Sequence, residues 1–133
     1  MVGKRSEHLE QLVVGVLSRN PRPLSAYDIL HNLQLEEGKL APPTVYRVLT
    51  TLQAKGHIHR IESLNAYVVC DRSCGHNASI MSICDDCGIV TETASKSLIK
   101  EIDAITRREG FSPKRHVIEI RGSCQECDGG HIQ

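Results

Sequence analysis

The sequence contains no tryptophan and only four aromatic residues, Tyr27, Tyr46, Tyr67 and Phe111, so its core must be aliphatic. It also lacks net charge, with sixteen Lys/Arg against sixteen Asp/Glu, and therefore has no global basic signature of a nucleic-acid binder. Long hydrophobic runs are missing too. The longest aliphatic stretch, Val13–Leu17, is interrupted by Gly15, and the start MVGKRSEHLE has no apolar segment. These absences predict neither signal peptide nor membrane span, and a reducing cytoplasmic location. Catalytic signatures are absent as well. A nucleobase deaminase needs H-x-E followed by P-C-x-x-C, but His57-Ile58-His59 lacks the Glu and Met81-Ser82-Ile83 before Cys84 lacks the Pro. No H-E-x-x-H, Ser/His/Asp or phosphate-loop pattern occurs, so no catalytic residue and no enzymatic activity are expected.

A chain of 133 residues makes one domain or two small ones. A unit of about 60 residues buries only about 60% of its unfolded surface and is marginal alone, so a bound metal and dimerisation are the expected supplements. Splitting the charge shows a weak asymmetry. Residues 1–62 carry eight basic and six acidic groups, giving +2, and residues 63–133 carry eight and ten, giving −2. Nucleic acid on the first half is allowed but not demanded.

Six cysteines are present, four of them in two C-x-x-C pairs, Cys84/Cys87 and Cys124/Cys127. Two thiolates three residues apart can turn round one ion, and two such pairs complete a tetrahedral S₄ site that suits zinc. The usual ribbon gap is roughly 15–20 residues. Here residues 88–123 intervene, enough for strands and a helix, so the metal would pin the two ends of a small domain. The other readings are a redox C-x-x-C or structural disulfides. A thioredoxin-type motif needs no second pair, and a chain without an export signal favours metal over disulfides.

Leu9, Leu12, Val13, Val16 and Leu17 have the spacing of an amphipathic helix that Asn20-Pro21 ends. Ser25, with Asp28 three residues on, caps a second helix carrying Ala26, Ile29, Leu30 and Leu33 to about Leu35. Pro42-Pro43 opens a third, with Val45, Val48, Leu49 and Leu52 inward and Gly56 as its stop. Its outer face carries Thr44, Tyr46, Arg47, Thr50, Thr51 and Gln53. Strand-like runs His57–Ile61 and Ala66–Cys70 follow. Three helices and a hairpin read as a winged helix-turn-helix over residues 1–70, with 71–77 as a hinge. Residues 78–133 then read as a small α/β dimerisation module with strands Ser79–Ile83, Ile89–Thr93 and Lys114–Arg121, a helix Ser95–Gly110, and the Cys₄ zinc site. The fold class is α+β.

On a recognition helix, Arg47 can meet guanine O6/N7, and Thr44 or Tyr46 a thymine methyl or a phosphate; a winged helix used only for protein contacts would show a similar pattern. The run Pro43-Thr44-Val45-Tyr46-Arg47, with Leu49, Leu52 and Gly56, resembles the P-T-V-Y-R-x-L-x-x-L-x-x-x-G motif of the ferric-uptake-regulator family. The resemblance continues through His59-Arg60-Ile61-Glu62 and Ile83–Gly88 and ends at Cys124–Cys127. Ser25-Ala26-Tyr27-Asp28, Pro42–Arg47 and Glu62-Ser63-x-Asn65-x-Tyr67 are similar to the zinc-uptake branch of that family. The resemblance implies a homodimeric, metal-dependent repressor that binds an AT-rich inverted repeat in double-stranded DNA, with Tyr27 and Arg47 at bases and Tyr46 supporting.

It also implies a second, regulatory zinc on His59, Cys70, His76 and Glu92, making two Zn²⁺ per subunit. Two imidazoles, a thiolate and a carboxylate form a set of intermediate softness that suits Zn²⁺ and cancels its charge. Whether Cys74 competes with Cys70, or the two sense redox state, stays open. His116 reads as structural or dimer-lining, with no obvious acidic partner on the preceding helix. The resemblance implies that zinc would tether the wing to the dimer module and switch on repression of zinc-uptake genes. An iron-, manganese- or peroxide-responsive regulator of the same family is the alternative.

Overall fold

Leu9, Val13, Val16 and Leu17 fall on one face of the first helix, α1 (Val2–Arg19), and are all buried. They meet Ala26, Ile29 and Leu33 of α2 (Ala26–Glu37) and Val45, Val48, Leu49 and Leu52 of α3 (Pro42–Ala54) in one aliphatic cluster. Each Val, Leu or Ile side chain among them contributes about 1.5–3 kcal/mol when fully buried. The structure is a computed structural model that describes residues 2–70 and 79–128, with side chains from residue 4 onward.

Helix ends follow their local chemistry. Ser25 Oγ accepts from the Asp28 N–H at 3.1 Å, capping α2. Pro42 and Pro43 occupy the first turn of α3, where their missing N–H groups would have no partner anyway. At the other end Gly56 takes φ +78°, its N–H reaches Gln53 O, and the His57 N–H reaches Leu52 O, both at 3.0 Å. That paired closure needs a left-handed residue, which glycine supplies without strain. It turns the chain directly into β1 (Ile58–Ile61), which pairs antiparallel with β2 (Ala66–Val69).

The wing turn explains part of the motif read from the sequence. Arg60 donates to Asn65 Oδ1 at 2.7 and 3.2 Å and to Glu62 Oε2 at 2.6 Å, and Asn65 takes φ +50°. Tyr67 is buried and exchanges two backbone hydrogen bonds with Leu24, at 2.8 and 3.1 Å, tying the wing to the α1–α2 connection. Glu62, Asn65 and Tyr67 therefore shape the hairpin.

The chain divides into two compact units, Met1–Cys74 and Gly75–Gln133. In the second, the sheet order is β4-β3-β5, with β3 (Ser79–Cys84) in the centre. β4 (Val90–Ala94) runs antiparallel to β3, and β5 (Ile118–Gly122) runs parallel to it. A parallel neighbour requires a crossover, which α4 (Lys96–Arg108) supplies. Met81, Ile83 and Cys84 are buried, whereas α4 has no buried residue despite its strong apolar stripe of Leu98, Ile99, Ile102 and Ile105.

Most strand and helix ends fall within a residue or two of the sequence expectation, and the larger differences have local causes. α1 begins at Val2, well before the periodic apolar residues. α2 runs on to Glu37, closing where the Gly38 N–H reaches Gln34 O. β5 starts at Ile118 rather than Lys114, because its pairing with β3 begins at Ile80↔Ile118. Among the described residues no helix is long and apolar enough to cross a membrane.

Candidate metal centre and nucleic-acid face

Cys84 ends β3, and Gly122 lies opposite it in parallel register on β5. Parallel strands finish at the same sheet end, so the two C-x-x-C turns meet there despite the intervening crossover. Each turn closes with the same bond, Gly88 N–H to Cys84 O and Asp128 N–H to Cys124 O, both at 2.9 Å. Gly88 holds φ +80°, which lets the chain reverse immediately into β4. The turns are joined by Arg121 to Asp85 at 2.7 Å, Ser123 to Asp86 at 2.7 Å, and Asp85 N–H to Gly122 O at 2.8 Å.

The sulfurs of Cys84, Cys87, Cys124 and Cys127 all lie within 4.8 Å of one another. Cys87 Sγ and Cys124 Sγ are 3.8 Å apart. A tetrahedron with Zn–S bonds of about 2.3 Å has edges of about 3.8 Å, so this spacing fits a four-sulfur ion site. All four are free thiols. Cys84 Sγ accepts backbone N–H bonds from Cys124 at 3.3 Å and Cys87 at 3.5 Å. These donors, that of Cys124 foremost, lower its pKa to about 6. Cys127 is pushed well up by hydrogen bonding with the Cys124 sulfur and then with the other two. A cluster that stabilises one thiolate while crowding its neighbours is a set a dication would neutralise.

The second predicted set divides between the units. In the first, His59 stands on β1 and Cys70 just after β2, with the Cys70 N–H bonded to His57 O at 2.9 Å. Val68 lies opposite His59, and strand alternation puts Cys70 on the same face. The ligand atoms of His59 and Cys70 lie within 4.8 Å of each other. Cys70 is disulfide-bonded as it stands, so it would ligate only when reduced. In the second unit, Glu92 on β4 accepts from Ser79 Oγ at 2.8 Å. His76 and Cys74 lie outside the described residues.

The face expected to meet DNA is laid out within the first unit. Arg47 is exposed on α3, Tyr46 is 56% exposed and Tyr27 on α2 is 76% exposed, while Thr44 is half-buried. A tyrosine this exposed adds nothing to the core, which leaves its ring for a partner. Thr50 and Thr51 donate their hydroxyls back to the Tyr46 and Arg47 carbonyls at 2.9 and 3.0 Å.

The structure also supplies the partner that sequence reasoning missed for His116. Asp103 Oδ1 on α4 lies 2.6 Å from its Nε2. The only sequence signal was the position of Asp103 beside Ile99 and Ile102, at the edge of the apolar stripe.

Residues 3–121 match the sequence profile of the Ferric uptake regulator family. The zinc uptake regulation protein of Escherichia coli K12 is 36% identical over 118 residues, covering 86% of this chain and 68% of that protein. A solved zinc uptake regulator complexed with zinc and DNA is 34% identical, with a TM-score of 0.86, over 91% of this chain and 81% of that one. Holo XcZur is 30% identical, with a TM-score of 0.83, over 91% of this chain and 84% of its own. With the winged unit, the four-sulfur cluster and these likenesses together, the chain belongs to the ferric uptake regulator family.

Proposed function

We propose that the protein is a zinc-responsive transcriptional repressor of zinc-uptake genes, binding AT-rich inverted repeats in double-stranded DNA as a zinc-loaded homodimer in the cytoplasm. The observation that carries this reading is the sulfur cluster with its tetrahedral edge, in a chain similar to a regulator solved with zinc and DNA. The exposed Tyr27, Tyr46 and Arg47 support the DNA contact, with Thr44 beside them. No catalytic residue is assigned.

Two zinc ions per subunit are proposed. Cys84, Cys87, Cys124 and Cys127 hold the structural one. His59, Cys70, His76 and Glu92, drawn from both units, hold the regulatory one, with Cys70 reduced. The dimer is supported by apolar surface a single copy leaves open in the second unit, where Ile105, Val117 and Ile120 are 46, 51 and 55% exposed. Self-association of that unit buries such a surface by symmetry. Apparent DNA affinity scales with the binding-competent fraction, so a zinc coupling of about 1–3 kcal/mol gives roughly 5–150-fold.

The test is an electrophoretic shift with a duplex selected by the protein from a random pool, under graded free zinc and a reductant. Retardation should follow zinc and not iron or manganese. Retardation by iron or manganese at lower free concentration than zinc would transfer the assignment to the alternative sensors of the family. Retardation without any metal dependence would refute the regulatory site.

A further inference from the structure

The first unit contains a groove of about 500 Å³ between the first turns of α1 and one edge of α3. Leu9 and Val48, both buried, form its floor. Its walls are Arg5 and Ser6 from α1, and Thr44, Arg47 and Thr51 from α3. The spacing explains the alignment. Arg5 and Leu9 are one turn apart on α1, and Thr44, Arg47, Val48 and Thr51 form a single line along α3.

The groove carries two guanidinium groups and no carboxylate. Among the described residues neither Arg5 nor Arg47 takes part in an ion pair, and Glu10, farther along α1, is engaged by Lys55 at 2.7 Å. Two like charges sharing one small groove repel, and an anion between them removes that cost. Guanidinium and hydroxyl donors together suit a phosphate, which takes Arg bidentately and Ser or Thr singly. Thr51 already donates to the Arg47 carbonyl, which leaves Ser6 and Thr44 as the hydroxyl donors. The groove opens on the same helix that bears Tyr46, and a duplex read by that helix presents its backbone alongside. That favours a phosphodiester of DNA over a free anion.

We propose that Arg5, flanked by Ser6 and Thr44, holds a phosphodiester of the duplex backbone, so that α1 fixes the register at which α3 meets the bases. Arg47 shares the rim of this seat and reaches towards the base edges. The inference rests on the DNA-binding reading and adds to it a backbone contact outside the recognition helix.

The experiment uses the zinc-loaded full chain with Arg5→Gln and Arg5→Lys, read by fluorescence anisotropy across a salt series. One duplex carries the site selected from a random pool, and the other is scrambled. Losing one phosphate contact lowers the slope of log K against log salt by about 0.9, and weakens binding about eightfold near 0.1 M salt. Arg5→Gln should show both effects on both duplexes and melt like wild type, since Arg5 is exposed. Arg5→Lys should keep the slope. Wild-type slope and affinity in Arg5→Gln would overturn the proposal, as would a loss confined to the selected duplex, which would make Arg5 a base reader. A side-chain NMR titration with inorganic phosphate separates the sources. Saturation by free phosphate, with DNA affinity intact in Arg5→Gln, would make this a small-anion site and also overturn it. If wild type bound the selected duplex while Arg5→Gln matched it, only this inference would fall. If wild type bound no duplex, the DNA-binding reading would fall with it.

Discussion

Replacing Cys84 by Ser should cost the protein its structural zinc and the cooperative folding of its second unit. Cys84 is 4% exposed, accepts two N–H bonds and supplies one corner of the sulfur cluster. Structural zinc sites contribute about 10–16 kcal/mol in small domains, or about 2.5–4 kcal/mol for each of four ligands. Losing one ligand of that worth lowers zinc affinity by about 10²–10³-fold. The proposed ion would also close a loop, since Cys84 and Cys124 are 40 positions apart. By the chain-entropy argument used for disulfides, opening such a loop returns about 4 kcal/mol to the unfolded state. That is a large part of the roughly 5–15 kcal/mol typical of a whole domain. The assay is competition for zinc against a chromophoric chelator, paired with thermal melting and sedimentation. Cys127→Ser is the control, because Cys127 is exposed and contributes little packing. Both variants should bind one zinc fewer per subunit, with the second unit melting non-cooperatively or losing self-association. A dimeric, cooperatively melting Cys84→Ser protein with wild-type zinc affinity would refute the structural assignment. Zinc loss in Cys84→Ser but not in Cys127→Ser would show packing, not ligation.

Four further outcomes are expected. Cys70→Ser should leave thermal melting unchanged and abolish zinc-dependent retardation of DNA. In wild type the same zinc response should require reductant, because Cys70 must leave its disulfide to ligate; both are read by gel shift. Ile29→Ala, at a fully buried position, should destabilise the first unit by about 2–5 kcal/mol, measured by denaturant unfolding. In zinc-free protein the depressed Cys84 pKa sets a stability window. Its contribution is complete above the ordinary thiol value of 9.0 and is lost as pH falls through about 6. Chelator-treated wild type should therefore lose melting temperature on acidification through that range more steeply than Cys84→Ser.

The winged unit was legible because each device was local. Pro42-Pro43 and Gly56 bracket α3, Ser25 caps α2, and the apolar spacing marks the buried faces. The cysteine spacing likewise announced the sulfur cluster. What escaped depended on tertiary placement. Residues 4–8 lie in α1 ahead of Leu9 and none of them is buried, so no hydrophobic period reveals them, and the Arg5 groove stays hidden with them. The parallel pairing of β3 with β5 needs the crossover to be seen. So does the meeting of Asp103 with His116, thirteen positions apart in the chain.

The order of elements along the chain has a consequence for synthesis. Everything packed into the aliphatic cluster, from Leu9 to Tyr67, is contributed before the first C-x-x-C pair leaves the ribosome. The central sheet, by contrast, waits for β5, and the four-sulfur cluster waits for Cys127. On the proposed function, vectorial emergence delivers the winged unit first, followed by a half whose completion would wait for the zinc proposed at the sulfur cluster.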